Sequence, residues 1–258
     1  MTTPGRFVWY DLMTTDLERS KAFYAGLLGW QYNDFDMGEM GPYPMIRTGD
    51  LDIGGMVALD PTKAPTSRWI AYVTVDDIDR AVERATAAGG TVRIPPTPIP
   101  NVGHFGELAD PQGAVISAYV SSGAPTPETQ GPPTLGSVCW NELLTTDPSG
   151  AVPFYSSVFD WGHGTMDMGG AGVYHLFKRD DKDVAGMMQM PPGAEAKPLW
   201  LPYFLVADVD ASFATARSLG AMAFVQPRDI PQVGRFAVLG DPTGASFALF
   251  KDAGTPSA

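Results

Sequence analysis

The sequence predicts an α+β fold built from four βαβββ modules, and three observations lead to that prediction. The chain has 258 residues, which is enough for two ordinary domains, each with its own hydrophobic core. All six tryptophans fall into pairs with one constant separation along the chain, which is the separation of Trp9 from Trp140. Within each half, a strand and a helix are followed by three shorter strand signals, and the same order then recurs.

The separation of Trp9 from Trp140, which we call the repeat offset, also relates pairs of tyrosines, glycines and aspartates, without a gap from residue 9 to residue 114. Such self-similarity indicates two copies of one fold. The stretch between the copies is rich in Pro, Gly, Ser and Thr, which is typical of a linker. We therefore predict domains at residues 1–122 and 136–258, joined by a linker at residues 123–135.

The first module of each half opens with a strand, predicted over Phe7–Met13 and over Ser137–Leu144, and a helix follows it. The helix starts have recognisable capping signals. Thr15–Glu18 resembles a capping box, and Asp147 followed by Pro148 places a capping side chain before a proline at the first helical position.

The second module of each half is carried by WIAYVTVDDIDRAVERATAAGG and by WLPYFLVADVDASFATARSLGA. Each stretch is a strand, an Asp-rich helix start, a helix and a glycine stop. Three shorter strands follow, and an Asp-Pro-x-Gly turn joins the last two of them. Antiparallel strands with helices on one face of the sheet are therefore expected.

Composition excludes several classes of partner. The net charge of −12 repels phosphate backbones and anionic lipid, so we expect no nucleic acid and no membrane as partners.

Because no apolar run approaches the length of a membrane span, we predict a cytoplasmic protein. Cys139 is the single cysteine, so an intrachain disulfide and a cysteine zinc site are excluded. A homodimer is left open.

The stretches TTDLERSKAFYAGLLGW, VDDIDRAVERATAAGG and LADPQGA, with their second-half copies, resemble the vicinal oxygen chelate superfamily of glyoxalases, bleomycin resistance proteins and extradiol dioxygenases. The similarity is greatest to tandem two-domain bacterial members of the glyoxalase-like or bleomycin-resistance-like kind. The resemblance implies partly open, eight-stranded cups with the ligand site inside. Whether a cup forms within one half or between the halves is left open.

The resemblance also implies a metal site, held by a His or Gln on the opening strand of a module and by a Glu four residues past the turn glycine. The six matching positions carry side chains without a good ligand atom: Trp9, Ile70, Ser117, Trp140, Leu201 and Ala248. We therefore predict no metal and no cofactor. A relocated site is disfavoured because the histidines His104, His163 and His175 lack suitably spaced partners, and His163 is predicted to lie in a loop.

Two carboxylates are the candidate catalytic residues. Strand alternation places Asp11 on the same face as Trp9, and Glu142 on the same face as Trp140. By the resemblance, these faces line the cup. A carboxylate against an aromatic wall could act as a general base or pair with a cationic ligand. Equally, Asp11 and Glu142 could only hold the cup closed through hydrogen bonds.

Further candidates for ligand binding share two properties. Their side chains are aromatic or end in a polar group, and their positions correspond between the two copies. They are Tyr43, Tyr174, Trp69, Trp200, His104 and Arg235, in addition to Trp9 and Trp140. For the tryptophans, packing in the core is the alternative to stacking on a ligand. Cys139 is predicted to face the helices, which argues against a cysteine nucleophile.

These observations lead to two hypotheses of different classes. The first is a protein that binds, and sequesters or processes, a small organic molecule in an acidic, tryptophan-lined cup without metal. The second is a metal-independent enzyme of isomerase, lyase or hydroxylase type with Asp11 or Glu142 as general base. Metal-dependent glyoxalase or dioxygenase chemistry is disfavoured by the absent ligands.

Overall fold

The computed structural model describes residues 4–38, 41–60, 62, 66–123, 133–169, 172–191, 193 and 196–254. Within these residues, sixteen strands and four helices follow one another in the predicted order. The first half contains β1 (Phe7–Thr14), α1 (Leu17–Leu28), β2 (Gln31–Asp36), β3 (Pro42–Thr48), β4 (Leu51–Ala58), β5 (Arg68–Thr74), α2 (Ile78–Ala87), β6 (Thr91–Ile99), β7 (Gly103–Ala109) and β8 (Val115–Ser121).

The second half repeats this order element by element. It contains β9 (Val138–Thr145), α3 (Pro148–Phe159), β10 (Gly162–Asp167), β11 (Val173–Arg179), β12 (Lys182–Gln189), β13 (Leu199–Leu205), α4 (Val209–Ser218), β14 (Met222–Ile230), β15 (Gly234–Gly240) and β16 (Ser246–Asp252).

The strands form two eight-stranded sheets, and each sheet is built within one half of the chain. The first has the order β2-β3-β4-β1-β5-β8-β7-β6, and the second has the equivalent order β10-β11-β12-β9-β13-β16-β15-β14. The opening strand of a module pairs in parallel with its fourth strand, as β1 does with β4, whereas consecutive strands such as β3 and β4 are antiparallel. The predicted α+β class with four βαβββ modules is therefore confirmed.

The hydrophobic cores divide the chain differently from the sheets. The first compact unit comprises the described residues of Met1–Trp9, Ile70–Gln130 and Trp140–Trp200. The second comprises those of Tyr10–Trp69, Gly131–Cys139 and Leu201–Ala258. Each unit thus joins the second module of one half to the first module of the other, and each has its own buried cluster of apolar side chains. The division at residues 123–135, most of which lie outside the described residues, stays a prediction.

The helix starts follow from local capping. Asp16, rather than the Thr15 of the expected capping box, is the N-cap of α1, and its carboxylate accepts a hydrogen bond from Arg19 N. Asp147 caps α3 by accepting from Gly150 N, with Pro148 at the first helical position, as predicted. Among the residues that the structure describes, none of the helices has the length and apolar character that spanning a membrane requires.

A buried polar network ties helix to sheet in each unit. In the second unit, Trp69 Nε1 donates to Tyr24 Oη at 3.2 Å, and Tyr24 Oη donates to Asp241 Oδ2 at 3.1 Å. Asp241 is the aspartate of the turn between β15 and β16, and its Oδ1 accepts from the backbone N of Thr243 and Ala245. Because every buried member has a partner, the network stabilises the packing of α1 on the sheet.

The first unit contains the equivalent network, built from the repeat counterparts of these three side chains. Trp200 Nε1 donates to Tyr155 Oη at 3.0 Å, and Tyr155 Oη donates to Asp110 Oδ2 at 2.9 Å. Burial raises the pKa of Asp110, against the lowering effect of hydrogen bonds from Ala114 N, Tyr155 and the other turn amides.

Replacing Asp110 by asparagine is expected to change how stability depends on pH. A carboxyl whose pKa is raised on folding holds its proton in the native state at pH values where the unfolded chain has lost it. The stability that Asp110 contributes should therefore fall as pH rises upward from its ordinary pKa of 3.8. Urea denaturation of wild type and Asp110→Asn at several pH values from 4 to 7 measures the difference, with the equivalent Asp241→Asn change as comparison. A difference that stays constant with pH would contradict the prediction.

Candidate functional site

A chain of hydrogen bonds links three side chains of the second half, all within the first unit. Trp140 Nε1 donates to Tyr174 Oη at 2.9 Å. Tyr174 Oη in turn donates to Glu142 Oε2, also at 2.9 Å. Glu142 is only 7% exposed, although it carries a charge. A buried carboxylate needs such a partner, because removing it from water without one costs several kcal/mol.

Strand alternation explains which way these side chains point. Leu143, the neighbour of Glu142 on β9, is fully buried in the core of the first unit. Phe177 on β11 belongs to the same core. Because successive side chains of a strand point to opposite faces, Glu142 and Tyr174 lie on the face that is turned away from the core. We call this face of the strands the open face.

A glycine makes room for the tyrosine ring. Gly186 on β12 is the parallel register partner of Glu142 on β9. A Cβ atom at Gly186 would collide with the Tyr174 ring, so no other residue fits there while Tyr174 keeps its place. The glycine, the tyrosine and the carboxylate therefore act as one structural set.

The first half repeats this set within the second unit. Tyr43 Oη donates a hydrogen bond to Asp11 Oδ1. Gly55 is the register partner of Asp11, and a Cβ atom there would collide with the Tyr43 ring. Leu12 is fully buried in the core of this unit, which places Asp11 on the open face of β1. The Tyr–carboxylate pair thus occurs in both halves, with Asp in one copy and Glu in the other.

The phenol of Tyr174 stays protonated because of its burial and its charged neighbour. Burial raises the pKa of Tyr174, and the charge of Glu142 raises it further. The phenol therefore stays a hydrogen-bond donor to the carboxylate throughout the physiological pH range. The structure thus brings Tyr174 to Glu142 and Trp140, and Tyr43 to Asp11. Strand alternation had already placed each carboxylate on the same face as a tryptophan, but it had not paired either carboxylate with its tyrosine.

Trp69 and Trp200 lie in the hydrophobic cores rather than on the open face, which corrects their assignment as ligand-binding residues. They are 6% and 3% exposed, and both indole N–H groups donate to core tyrosines. Their rings also pack edge to face against Tyr24 and Tyr155. The structure therefore has both tryptophans packed in the core, which was the alternative to stacking on a ligand. Trp9, the counterpart of Trp140, is half-buried on β1.

His104 is exposed and Arg235 is half-buried. Strand alternation from the buried core residues Leu108 and Ala237 places both side chains on the helix side of their strands, away from the open face. Arg235 Nε donates to Asp210 Oδ2 at 2.7 Å, and its Nη1 donates to Asp229 Oδ1 at 2.9 Å. Asp210 belongs to the first turn of α4. The guanidinium therefore joins β15 to α4, and the assignment of this position to ligand binding is not supported by its placement.

The donor atoms do not fit the metal of the family. Ile70, Leu201 and Ala248 are buried aliphatic side chains, and Ser117 offers one poor ligand. In the described ranges, no group of three or more His, Cys, Asp and Glu side chains is close enough to hold a metal ion. A divalent ion would thus find no adequate set of ligands at the family's positions, and no step of chemistry is derived through one.

The structure also places His163 and Cys139, two further titratable side chains. His163 lies on β10, so its predicted place in a loop was wrong. Its Nε2 lies 2.9 Å from Nδ1 of His175 on the paired strand β11, a cross-strand contact that spacing along the chain does not reveal. Burial raises the pKa of the Cys139 thiol to about 12, which disfavours a thiolate nucleophile.

Sequence reasoning missed one buried carboxylate, Glu107 on β7. It is 5% exposed, and Arg93 Nε donates to its Oε1 at 3.2 Å. A signal was available, because Glu107 aligns with Val238 at the repeat offset. A charged residue that replaces an apolar one in a repeated strand marks a place where the copies differ in chemistry.

Comparison with known proteins gives a consistent set of similarities. The sequence profile of the family described as Glyoxalase/Bleomycin resistance protein/Dioxygenase superfamily matches residues 6–117. The CFP32 protein of Mycobacterium bovis, provisionally named a glyoxylase, is 36% identical over 253 residues, which cover 95% of this chain and 94% of that protein. The anthracycline biosynthesis protein DnrV of Streptomyces peucetius is 31% identical over 264 residues, covering 95% of this chain and 93% of DnrV.

Solved structures agree on the fold. A catechol 2,3-dioxygenase superposes with a TM-score of 0.66 at 13% identity, covering 100% of this chain and 91% of its own. The Mn(II)-bound glyoxalase from Novosphingobium aromaticivorans superposes with a TM-score of 0.63 at 15% identity, covering 97% of this chain and 83% of that glyoxalase. At these identities the likeness concerns the arrangement of strands and helices alone.

Proposed function

Since this chain belongs to the glyoxalase/bleomycin resistance protein/dioxygenase superfamily, we propose that it binds a small organic molecule on the open face of its sheets, with the Tyr–carboxylate pairs as polar anchors. The binding needs no divalent metal. The observation that carries the proposal is the recurrence, in both halves, of a half-buried tyrosine that donates to a buried carboxylate over a buried glycine.

The anchor favours a ligand that donates hydrogen bonds or carries positive charge. An ionised carboxylate only accepts hydrogen bonds, and in a buried place it attracts a cation more strongly than it would in water. The indole of Trp140 lies beside the second-half anchor and offers an aromatic surface. The chain's net charge of −12 also favours approach of a cation over that of an anion.

General-base catalysis by Glu142 is less well supported than binding. Tyr174 already donates to Oε2 of this carboxylate, so the protein itself engages the oxygen that a substrate's proton would otherwise meet. The tyrosine therefore suits Glu142 to an electrostatic role. Asp11 is in the same situation through Tyr43.

The relative DnrV suggests the first ligand class to test, because its name places it in anthracycline biosynthesis. Daunorubicin, an anthracycline with a planar aromatic body and an amine, combines the features that the anchor favours. We expect it to quench tryptophan fluorescence in a saturable titration of the full chain. Replacing Glu142 by glutamine should weaken this binding about tenfold or more, because a charge-assisted contact is lost while the shape is kept.

The matched changes separate the anchors from general effects on the fold. Tyr174→Phe removes the phenol, and Asp11→Asn tests the first-half anchor. Tyr32→Phe removes a phenol whose bond goes to Lys21 O, so this variant should bind as the wild type does. If neither daunorubicin nor a library of planar aromatic amines gives a saturable signal, binding at the anchors is contradicted. Turnover of a bound compound that disappears in Glu142→Gln, with affinity retained, would replace the proposal by the general-base alternative.

A further inference from the structure

Three side chains of the first unit stand side by side on neighbouring strands. Tyr72 on β5 is the register partner of Ser117 on β8, and Ser117 is the register partner of Glu107 on β7. The strand neighbours of this trio, Val73, Ala118 and Leu108, are fully buried in the core of the unit. Tyr72, Ser117 and Glu107 therefore point to the open face.

The hydroxyl of Ser117 lies buried without a partner. Ser117 is 1% exposed, and its Oγ makes no hydrogen bond within the residues that the structure describes. Leaving a buried polar group unpaired is unfavourable, and native proteins rarely keep such a group without a use. Glu107 lies opposite it and contacts Arg93, whose side chain is half exposed, so this carboxylate lies one side chain away from solvent.

The second half has no equivalent of this polar pair. Ala248 stands in the place of Ser117, and Val238 stands in the place of Glu107. The aromatic residue of the first strand is kept, since Tyr203 corresponds to Tyr72. The polarity is therefore not required by the fold, because the same strands pair in the second half with apolar side chains at these positions.

We propose that Glu107 and Ser117 form a ligand subsite for an aromatic hydroxyl group. Such a hydroxyl is both donor and acceptor, so it can donate to the carboxylate of Glu107 and accept from Ser117 Oγ. The rings of Tyr72 and Phe105, whose centroids are 5.9 Å apart, flank the pair with aromatic surface. The subsite uses residues outside the Tyr–carboxylate anchors, and it holds whether or not those anchors bind a ligand.

The free protein provides the first test. Replacing Ser117 by alanine should raise the Tm by about 2 °C or more, because an unpaired buried hydroxyl is removed from a site whose second-half copy is already alanine. The reverse change in the other half, Ala248→Ser, should lower the Tm. A lower Tm for Ser117→Ala would mean that the hydroxyl serves the fold, and it would overturn the proposal.

Binding provides the second test, with 4-methylphenol as probe and 4-methylanisole as the matched compound that cannot donate. Saturation-transfer NMR should show that 4-methylphenol binds at millimolar concentration. Adding 4-methylanisole should not reduce the phenol's signal, because the anisole should not displace it. Ser117→Ala and Glu107→Gln should each weaken phenol binding by about tenfold. Absence of phenol binding to the wild type, or an affinity unchanged in both variants, would overturn the subsite. Glu107→Gln keeps the side-chain volume, so the test remains decisive if one variant folds poorly.

Discussion

Replacing Asp241 by alanine is expected to lower the free energy of unfolding by about 4 kcal/mol, since two buried groups and one half-buried group lose their partner at once. Tyr24 Oη would be left without its acceptor, and the backbone N–H groups of Thr243 and Ala245 would lose theirs. Each unpaired buried group costs about 1–3 kcal/mol. Urea denaturation followed by tryptophan fluorescence measures the change, because Trp69 lies in the same network.

A matched aspartate in the same unit controls for the loss of an acidic turn residue. Asp252 also accepts from a backbone N–H, that of Gly254, but it lies exposed at the end of β16. Because water can replace this bond, Asp252→Ala should cost far less. If Asp241→Ala destabilised the protein no more than Asp252→Ala does, the buried network would not have the energetic role that its geometry indicates.

The elements of the fold could be predicted because their signals are local. The Asp-Pro-x-Gly turns hold Gly113 and Gly244 at positive φ. Asp147 caps α3 where the sequence predicts a cap, and Asp16 caps α1 one residue after the predicted Thr15. The composition of the compact units could not be predicted. Both halves have the same apolar faces, so hydrophobic patterning does not tell which module packs against which.

Strand alternation in the sequence was sufficient to place Trp69 and Trp200 in the core instead of in a ligand site. The family's ligand positions put Ile70 and Leu201 on the open face. Trp69 and Trp200 are their immediate neighbours, so alternation places both indoles on the helix side, where the structure has them. Large aromatic residues suggested that these side chains line a ligand site. The alternation of side chains along a strand is the stronger argument, because it decides on which face of the sheet they lie.

The pairing of tyrosine with carboxylate required the register of three strands. Tyr174, Glu142 and Gly186 are far apart in the sequence, and only the β9–β12 register brings the last two side by side. The recurrence of Tyr43 and Gly55 at the repeat offset was visible, yet a recurring tyrosine or glycine fits many structural uses. Geometry alone therefore reveals that these residues form a set.

Replacing Gly186 by alanine is expected to abolish the second-half anchor while the sheet stays folded. The new Cβ atom would occupy the place of the Tyr174 ring, so the tyrosine must leave and Glu142 loses its donor. We expect daunorubicin affinity at this anchor to fall at least as much as in Tyr174→Phe. A second readout does not need a ligand. Because burial raises the pKa of Tyr174, a displaced Tyr174 should add about one tyrosine to those that titrate near pH 10 in an ultraviolet titration.

A glycine of the same half separates the collision from the general effect of adding a methyl group to a strand. Gly162 opens β10, and a Cβ atom there would meet Lys178 at an ordinary contact distance of 3.7 Å. Gly162→Ala should therefore leave both the affinity and the tyrosine titration unchanged. If Gly186→Ala behaved like this control, the ring of Tyr174 would not depend on the glycine, and the anchor would not be the rigid set that its geometry implies. If instead only the Gly186 change releases the tyrosine, the glycine holds the anchor in place without touching a ligand.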